Sequence, residues 1–146
     1  MLKKRKEISE MIEKIKEYFI NHVTLAEEFE NILIDFLNDE AVTYSIEPIP
    51  VEPILKSYAD GGSLRQYVFQ FGSREFYDNG VAQNINNLGF YEKFQEEIET
   101  NNKNGVLPEI SGIQSIECLN NGTIQDVQNG TAKYVIQMRI IYEKEA

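Results

Sequence analysis

The chain holds no tryptophan, one cysteine, one histidine and four prolines among 146 residues, and each scarcity removes a class of chemistry. A lone Cys118 cannot close a disulfide within the chain. With His22 it supplies two of the four ligands that structural zinc takes, so a zinc-stapled fold is excluded. A serine or cysteine nucleophile activated by histidine would have to use His22, and neither residue type stands in a recognisable nucleophile elbow to meet it. His22 reads as an exposed histidine at the joint after a helix. No window approaches the roughly 18 apolar residues of a membrane span. The opening Met1-Leu2-Lys3-Lys4-Arg5-Lys6 has the charge of a signal n-region, but alternating acids and bases follow it instead of an apolar stretch of about 7 to 15 residues. A soluble protein of a reducing cytoplasm is the expectation, with no membrane partner. Positive charge is also short. Fourteen lysines and arginines stand against 24 acids, a formal charge of -10 and a pI near 4.6. Such a balance repels the phosphate backbone that a nucleic-acid binder must neutralise.

What is present is enough for a core. Hydrophobic residues make up 42% and aromatics 11%, a globular share, and the length fits one domain spanning 1–146. From Glu7, Ile8, Met11, Ile12, Ile15, Tyr18 and Phe19 recur at steps of three and four, which predicts an amphipathic N-terminal helix within 1–22. Thr24 with Glu27 resembles a capping box for a further helix. Ile32-Leu33-Ile34-Asp35-Phe36-Leu37 suits a buried strand or a buried helical segment, its isoleucines leaning to strand. Pro48, Pro50 and Pro53 fall in a stretch, 44–58, that no helix or central strand should traverse, so an extended arm or edge segment is predicted there. Asp60-Gly61-Gly62 is a turn. Leu64 to Phe71 alternates, Tyr67, Phe69 and Phe71 against Gln66 and Gln70, as a half-buried strand does. A second helix carries Ile85, Leu88, Tyr91, Phe94 and Ile98 on one stripe and stops at Gly105 and Pro108. Residues 112–143 read as a β-meander with turns at Asn120-Asn121-Gly122 and Asn129-Gly130, its last strand placing Tyr134, Ile136, Met138, Ile140 and Tyr142 on one face. The sum is an α+β single domain, a mixed or antiparallel sheet flanked by two or three helices.

No catalytic constellation emerges, and no catalytic, cofactor-binding or metal-binding residue is nominated. Asp60-Gly61-Gly62-Ser63 lacks the Gly-Lys-Ser/Thr of a phosphate loop and leads into a strand, where a phosphate cradle wants a helix N-terminus. Neighbouring acids such as Glu96 with Glu97, or Asp39 with Glu40, point apart on a helix. Asn121-Gly122-Thr123 and Asn129-Gly130-Thr131 match glycosylation sequons, but without a secretion signal they read as turns. Cys118, alternating with Ile116, reads as a small buried hydrophobe. The Lys3 to Lys6 run reads as a frayed solvated end, with a contact for an acidic partner or a lipid head group as the alternative.

A resemblance does emerge, from Tyr44-Ser45-Ile46-Glu47-Pro48, Leu64-Arg65-Gln66-Tyr67-Val68-Phe69 and Gly72-Ser73-Arg74-Glu75-Phe76-Tyr77. Gln83-Asn84-Ile85, Gly89-Phe90-Tyr91, the Asn-rich exit Asn101 to Pro108 and the last strand Ala132 to Tyr142 continue it. In their order and spacing these pieces resemble small phage minor capsid or tail-completion proteins, themselves similar to tail terminators of long-tailed phages and tail-like bacteriocins. Residues 23–31 fit that pattern least. The resemblance implies a strand at 32–37 and a structural, non-enzymatic virion or tail-assembly protein. Such a protein caps a polymerised tail tube as a homo-oligomeric ring, hexameric in that family, stops its growth and offers a surface for head joining. Its implied partners are further copies of itself, the tail tube protein and a head-connector or sheath protein, with DNA only as passing cargo and no cofactor. A head-tail connector or stopper, and a small intracellular ligand-binding domain or enzyme, are the alternatives.

The proline-rich arm, Pro48 and Pro50 included, and an edge strand able to extend a neighbour's sheet are the expected contact features. Arg65, Arg74 and Tyr67 are the candidate interface residues, since arginine and tyrosine anchor interfaces, although intrachain salt bridges for the arginines and core packing for the tyrosine are the commoner fate of such residues. Residues 1–30 carry six bases and seven acids, so most of the excess acid lies beyond residue 30. In a ring that passes DNA, those acids are expected to line the lumen.

Overall fold

Two strands of 14 residues each form the spine of the sheet in a computed structural model that describes residues 2–23, 32–34, 43–76, 81–128 and 130–146. In chain order the elements are α1 (Leu2–His22), β1 (Ile32–Ile34), β2 (Thr43–Pro48), β3 (Ile54–Ser57), β4 (Ser63–Phe76), α2 (Val81–Lys103), β5 (Ile113–Cys118), β6 (Thr123–Gln128) and β7 (Thr131–Lys144). β4 and β7 pair antiparallel over their whole lengths, from Ser63 opposite Lys144 to Phe76 opposite Thr131. All the other pairings are antiparallel except the short parallel contact of β1 with β2. Among the described residues this is an α+β fold of two helices and one sheet.

The register explains the layers. Residues directly opposite share a face, so Tyr67 with Ile140, Phe69 with Met138, Phe71 with Ile136 and Ser73 with Tyr134 present one continuous side to the helices. Ile46 opposite Phe71 and Ile116 opposite Ile140 extend that side on the flanking strands. Onto it α1 lays Ile12, Ile15, Tyr18 and Phe19, all 4% exposed or less, and α2 lays Tyr91, Phe94 and Ile98. The Phe71 ring stacks on Phe94 at 5.0 Å, and Phe19 meets Phe71 edge-on at 5.1 Å. Fully burying each such ring contributes about 1.5–3 kcal/mol.

α2 ends in a Schellman motif. Gly105 sits at φ 73°, its N–H donates to the Asn102 carbonyl, and the Val106 N–H donates to the Asn101 carbonyl. The same exit ties the two helices together, because Tyr18 donates to the Val106 carbonyl and the Asn101 amide donates to the His22 carbonyl.

The edges differ from a meander. β5 and β6 do not pair with each other; both pair with β7, end to end along one edge, β5 against 138–142 and β6 against 131–135. The other edge repeats the arrangement, with β2 against 69–74 of β4 and β3 against 63–65. Asn120-Asn121-Gly122 is therefore a joint between collinear strands and not a hairpin turn. There the Asn120 side chain accepts from the Gln137 N–H, standing in for the strand that is missing at that rung. Gly122 is needed for clearance: a Cβ there would lie 2.5 Å from the Tyr91 Cβ. β6 and β7 do form a hairpin, with Gln128 paired to Thr131 and Gly130 at φ 74°; Asn129 lies outside the described residues.

Two further boundaries move. The arm predicted over 44–58 begins later, because Tyr44, Ser45 and Ile46 lie buried in β2 between β1 and β4, and Pro48 closes that strand where its missing N–H costs nothing. β4 continues through Gly72–Phe76, while α1, Leu2–His22, falls within the predicted 1–22. β1 occupies Ile32–Ile34; Asp35 to Leu37, the Thr24–Glu27 box and the Asp39–Glu40 pair lie outside the described residues.

Candidate functional site

The reactive groups are quiet. Burial, with Glu99 and Glu117 nearby, pushes the Cys118 thiol up to about 12 from 9.0, so it stays protonated and unreactive at neutral pH. His22 is exposed, its ring 5.8 Å from that of Tyr18, in a shallow groove with Lys14, Glu17, Asn21, Pro108 and Glu109 that contains neither serine nor cysteine. A neighbouring groove of about 260 Å³ runs between Glu10, Met11 and Lys14 of α1 and the 109–111 segment. Among the described residues no group of three or more His, Cys, Asp or Glu side chains is placed to hold a metal, and no helix is long and apolar enough to cross a membrane.

The sheet's other face is a lattice of charge. Arg74 and Lys133 lie directly opposite on β4 and β7, which alone would repel. Each reaches an acid on a flanking strand instead. Arg74 Nη1 lies 3.3 Å from Asp126 Oδ1 on β6 and also donates to Thr131 Oγ1, while Lys133 Nζ lies 3.4 Å from Glu47 Oε1 on β2. Further along, Arg139 binds Glu117 of β5 at 2.7 Å and donates to Gln66, whose amide in turn donates to the Glu52 carbonyl. These pairs fasten β2, β5, β6 and the proline turn to the spine.

That lattice decides the fate of the predicted contact residues. Arg74 is 4% exposed and engaged by Asp126 and Thr131, so it belongs to the interior, not to an accessible surface. Tyr67 is half-buried against Phe69, at 6.3 Å between rings, as part of the core's rim. Arg65 is half-buried with its Nε on Ser63 Oγ at 2.9 Å. Pro48 is half-buried opposite Phe69, and Pro50 is exposed in the turn that leads to β3. Arg74 is thus set apart from the rest, while Arg65, Tyr67 and Pro48, at or opposite alternate positions of β4, share the helix-facing side.

Five of the exposed large hydrophobics fall on two edges, apart from Ile20 on α1, Phe76 at the end of β4 and Leu119 after β5. Val51, Ile54 and Leu55 are each 40% exposed or more along the proline turn and β3, and Ile124 and Val127 are 40% and 55% exposed on β6. Every residue of β3 and of β6 is exposed. The four short flanking strands fall into two kinds. β2 is covered by β1, and the outward N–H of Ile116 in β5 is capped by the Asn102 side chain of α2 at 3.0 Å. Among the described residues nothing pairs with the outer edges of β3 and β6, which occupy diagonally opposite corners of the sheet. Composition did not reveal them, since two aliphatics in Thr123–Gln128 and three around a proline turn carry no periodic signal. No family model matches the chain, and no curated protein matches it.

Proposed function

We propose that the chain is a structural subunit of a phage tail or tail-like particle, assembled in the bacterial host cytoplasm. It caps the end of a polymerised tail tube as a ring, of six copies by the resemblance, stops tube growth and offers a surface to a head-connector or sheath protein. The observation that carries this reading is the division of five large exposed hydrophobics between two different sheet edges at opposite corners of one subunit. A contact that repeats head to tail requires two unlike patches, whereas a two-fold dimer requires one self-complementary patch. Among the described residues the protonated thiol of Cys118 and the groove of His22 offer no cysteine- or serine-histidine pair, which favours a structural role over the enzyme alternative. The acidic excess beyond residue 30 suits a lumen through which DNA passes without sticking.

The test is assembly in the presence of its target. The purified chain is mixed with tubes polymerised from a phage tail tube protein of the same source, and mass in solution and electron micrographs are recorded. Rings on one tube end and arrest of elongation are expected. A chain that neither self-associates nor binds tube ends refutes the proposal, and a basic ring lumen refutes the role given to the acids.

A further inference from the structure

We infer that the open edge of β6 in one copy joins the open edge of β3 in the next as an antiparallel pair, making one continuous sheet across subunits, with Lys56 set against Asp126 and Leu55 against Val127. The inference rests on the ring reading for its second copy and adds the contact through which that copy binds.

Strand sense permits it. Across one subunit the order β3–β4–β7–β6 alternates at every step, each neighbour antiparallel to the last. A second copy in the same orientation therefore brings its β3 alongside β6 running the opposite way, and the alternation continues unbroken. Faces agree as well. Lys56 is level with Leu64, Asp126 is level with Lys133, and Leu64 and Lys133 both belong to the charged side of the sheet. Lys56 is the lone cation of β3 and Asp126 the lone acid of β6. Asp126 keeps 48% of its side chain exposed although it already meets Arg74, so it has room for a second cation. An antiparallel register that opposes these two places Leu55, 43% exposed and the bulged residue of β3, level with Val127, 55% exposed. Short length, a lysine and a bulge are also how a solvated edge blunts itself, and β3 has all three. Exposed aliphatics on both edges are no part of that defence, and burying them against each other accounts for their presence.

The register also fixes a geometry. Lys56 sits at the level of Leu64 and Asp126 at the level of Arg74, ten residues further along β4. Each junction therefore steps about 34 Å along the strands for about 19 Å across four of them. A ring closes on that step only with its strands inclined by about 60° to the ring axis, a tilt steeper than that of small barrels.

Mixed-cysteine cross-linking tests the junction in the full chain. Leu55→Cys and Val127→Cys are made separately; both side chains are exposed, so neither substitution threatens folding, and unsubstituted chain controls for Cys118. Oxidised together with tubes present, the two variants should give a covalent dimer that neither gives alone, and L55C/V127C in one chain should give a ladder ending at the ring. Val127→Lys, which brings a cation against the Lys56 edge, should weaken self-association at least tenfold. If rings cap tubes but the cysteines do not link, the junction is overturned and the ring reading stands. If the cysteines link in solution while tubes grow past the protein, the junction stands and the ring reading falls. If neither occurs, both fall.

Discussion

Gly122 and Gly89 form a matched pair of alanine substitutions whose signs should be opposite. At Gly122 the added Cβ would meet Tyr91 at 2.5 Å from Cβ, 2.6 Å from Cγ and 2.9 Å from Cδ1, against about 3.5–4.0 Å for carbons in contact. The first of those atoms is fixed to the α2 backbone, so no rotamer change relieves the clash; the joint or the helix must move by about 1 Å. Overpacking of this kind costs about 1–3 kcal/mol. Displacing Tyr91 also disturbs its hydroxyl, which shares 2.6 Å with Ser73 Oγ and donates to the Tyr134 carbonyl at 3.3 Å, adding about 1 kcal/mol. Gly122→Ala should therefore lose about 3 kcal/mol, a fall in Tm of roughly 6–12 °C for a domain of this size. Gly89 lies inside α2 with nothing within 4 Å of its would-be Cβ, so Gly89→Ala should gain about 0.5–1 kcal/mol from helix propensity alone. Urea unfolding followed by far-UV circular dichroism reads both, since the chain has no tryptophan to report. A Gly122→Ala variant within about 0.5 kcal/mol of the parent would refute the account of the joint.

Two further outcomes follow from the charged and buried groups. Because burial holds the Cys118 thiol at about 12 when folded against 9.0 otherwise, the unfolded chain releases that proton first as pH rises. Its contribution is complete below pH 9 and is lost from there toward pH 12, on the order of 1 kcal/mol between pH 9 and 10. Cys118→Ala should lack that alkaline slope in urea titrations, and an unchanged slope would exclude Cys118 as its source. Asp126→Ala deprives the buried Arg74 of one anchor and should cost about 1–2 kcal/mol, below the value for a fully buried pair because Asp126 is half exposed. The loss should concentrate in β6, read as faster amide exchange at 123–128; uniform protection across the sheet would show that the pair does not hold that strand.

Periodicity made the helices and the last strand legible. The stripes through Ile12, Ile15 and Phe19, and through Tyr91, Phe94 and Ile98, are the faces that bury, and the alternation from Tyr134 to Tyr142 runs inside β7. Periodicity reports which way a side chain points, however, and says nothing about which strand lies alongside. The two Asn-Gly pairs look the same in sequence, yet the chain reverses between Gln128 and Thr131 and runs straight on past Asn121-Gly122, and only the strand pairing separates them. Gly72 to Phe76 read as an exit from β4 because glycine, serine and charge dominate it; β2 on one side and β7 on the other keep it in the ladder. The prolines misled for a related reason: Pro48 terminates β2 without weakening the buried residues before it. Arg74 showed as a notable cation in an acidic chain, but its acceptor, Asp126, lies 52 residues away, beyond any local pattern.

The end-to-end seating of β5 and β6 on β7 also sets an order of folding. Among the described residues, 113–128 have no sheet partner other than 131–144, and β4, made some 55 residues earlier, waits for the same segment. Contacts this distant in sequence are slow to form, because loop-closure entropy is lost before any pairing is gained. Synthesis proceeds at about 5–20 residues per second, so the aromatic strand β4 spends seconds without its principal neighbour. The helices are the elements available to shield Phe69 and Phe71 in that interval. β7 then acts as the closing piece, completing the spine and seating both strands of its own edge in one event. The outer edge of β6 exists only after that event, so a chain still being made cannot offer it to a neighbour.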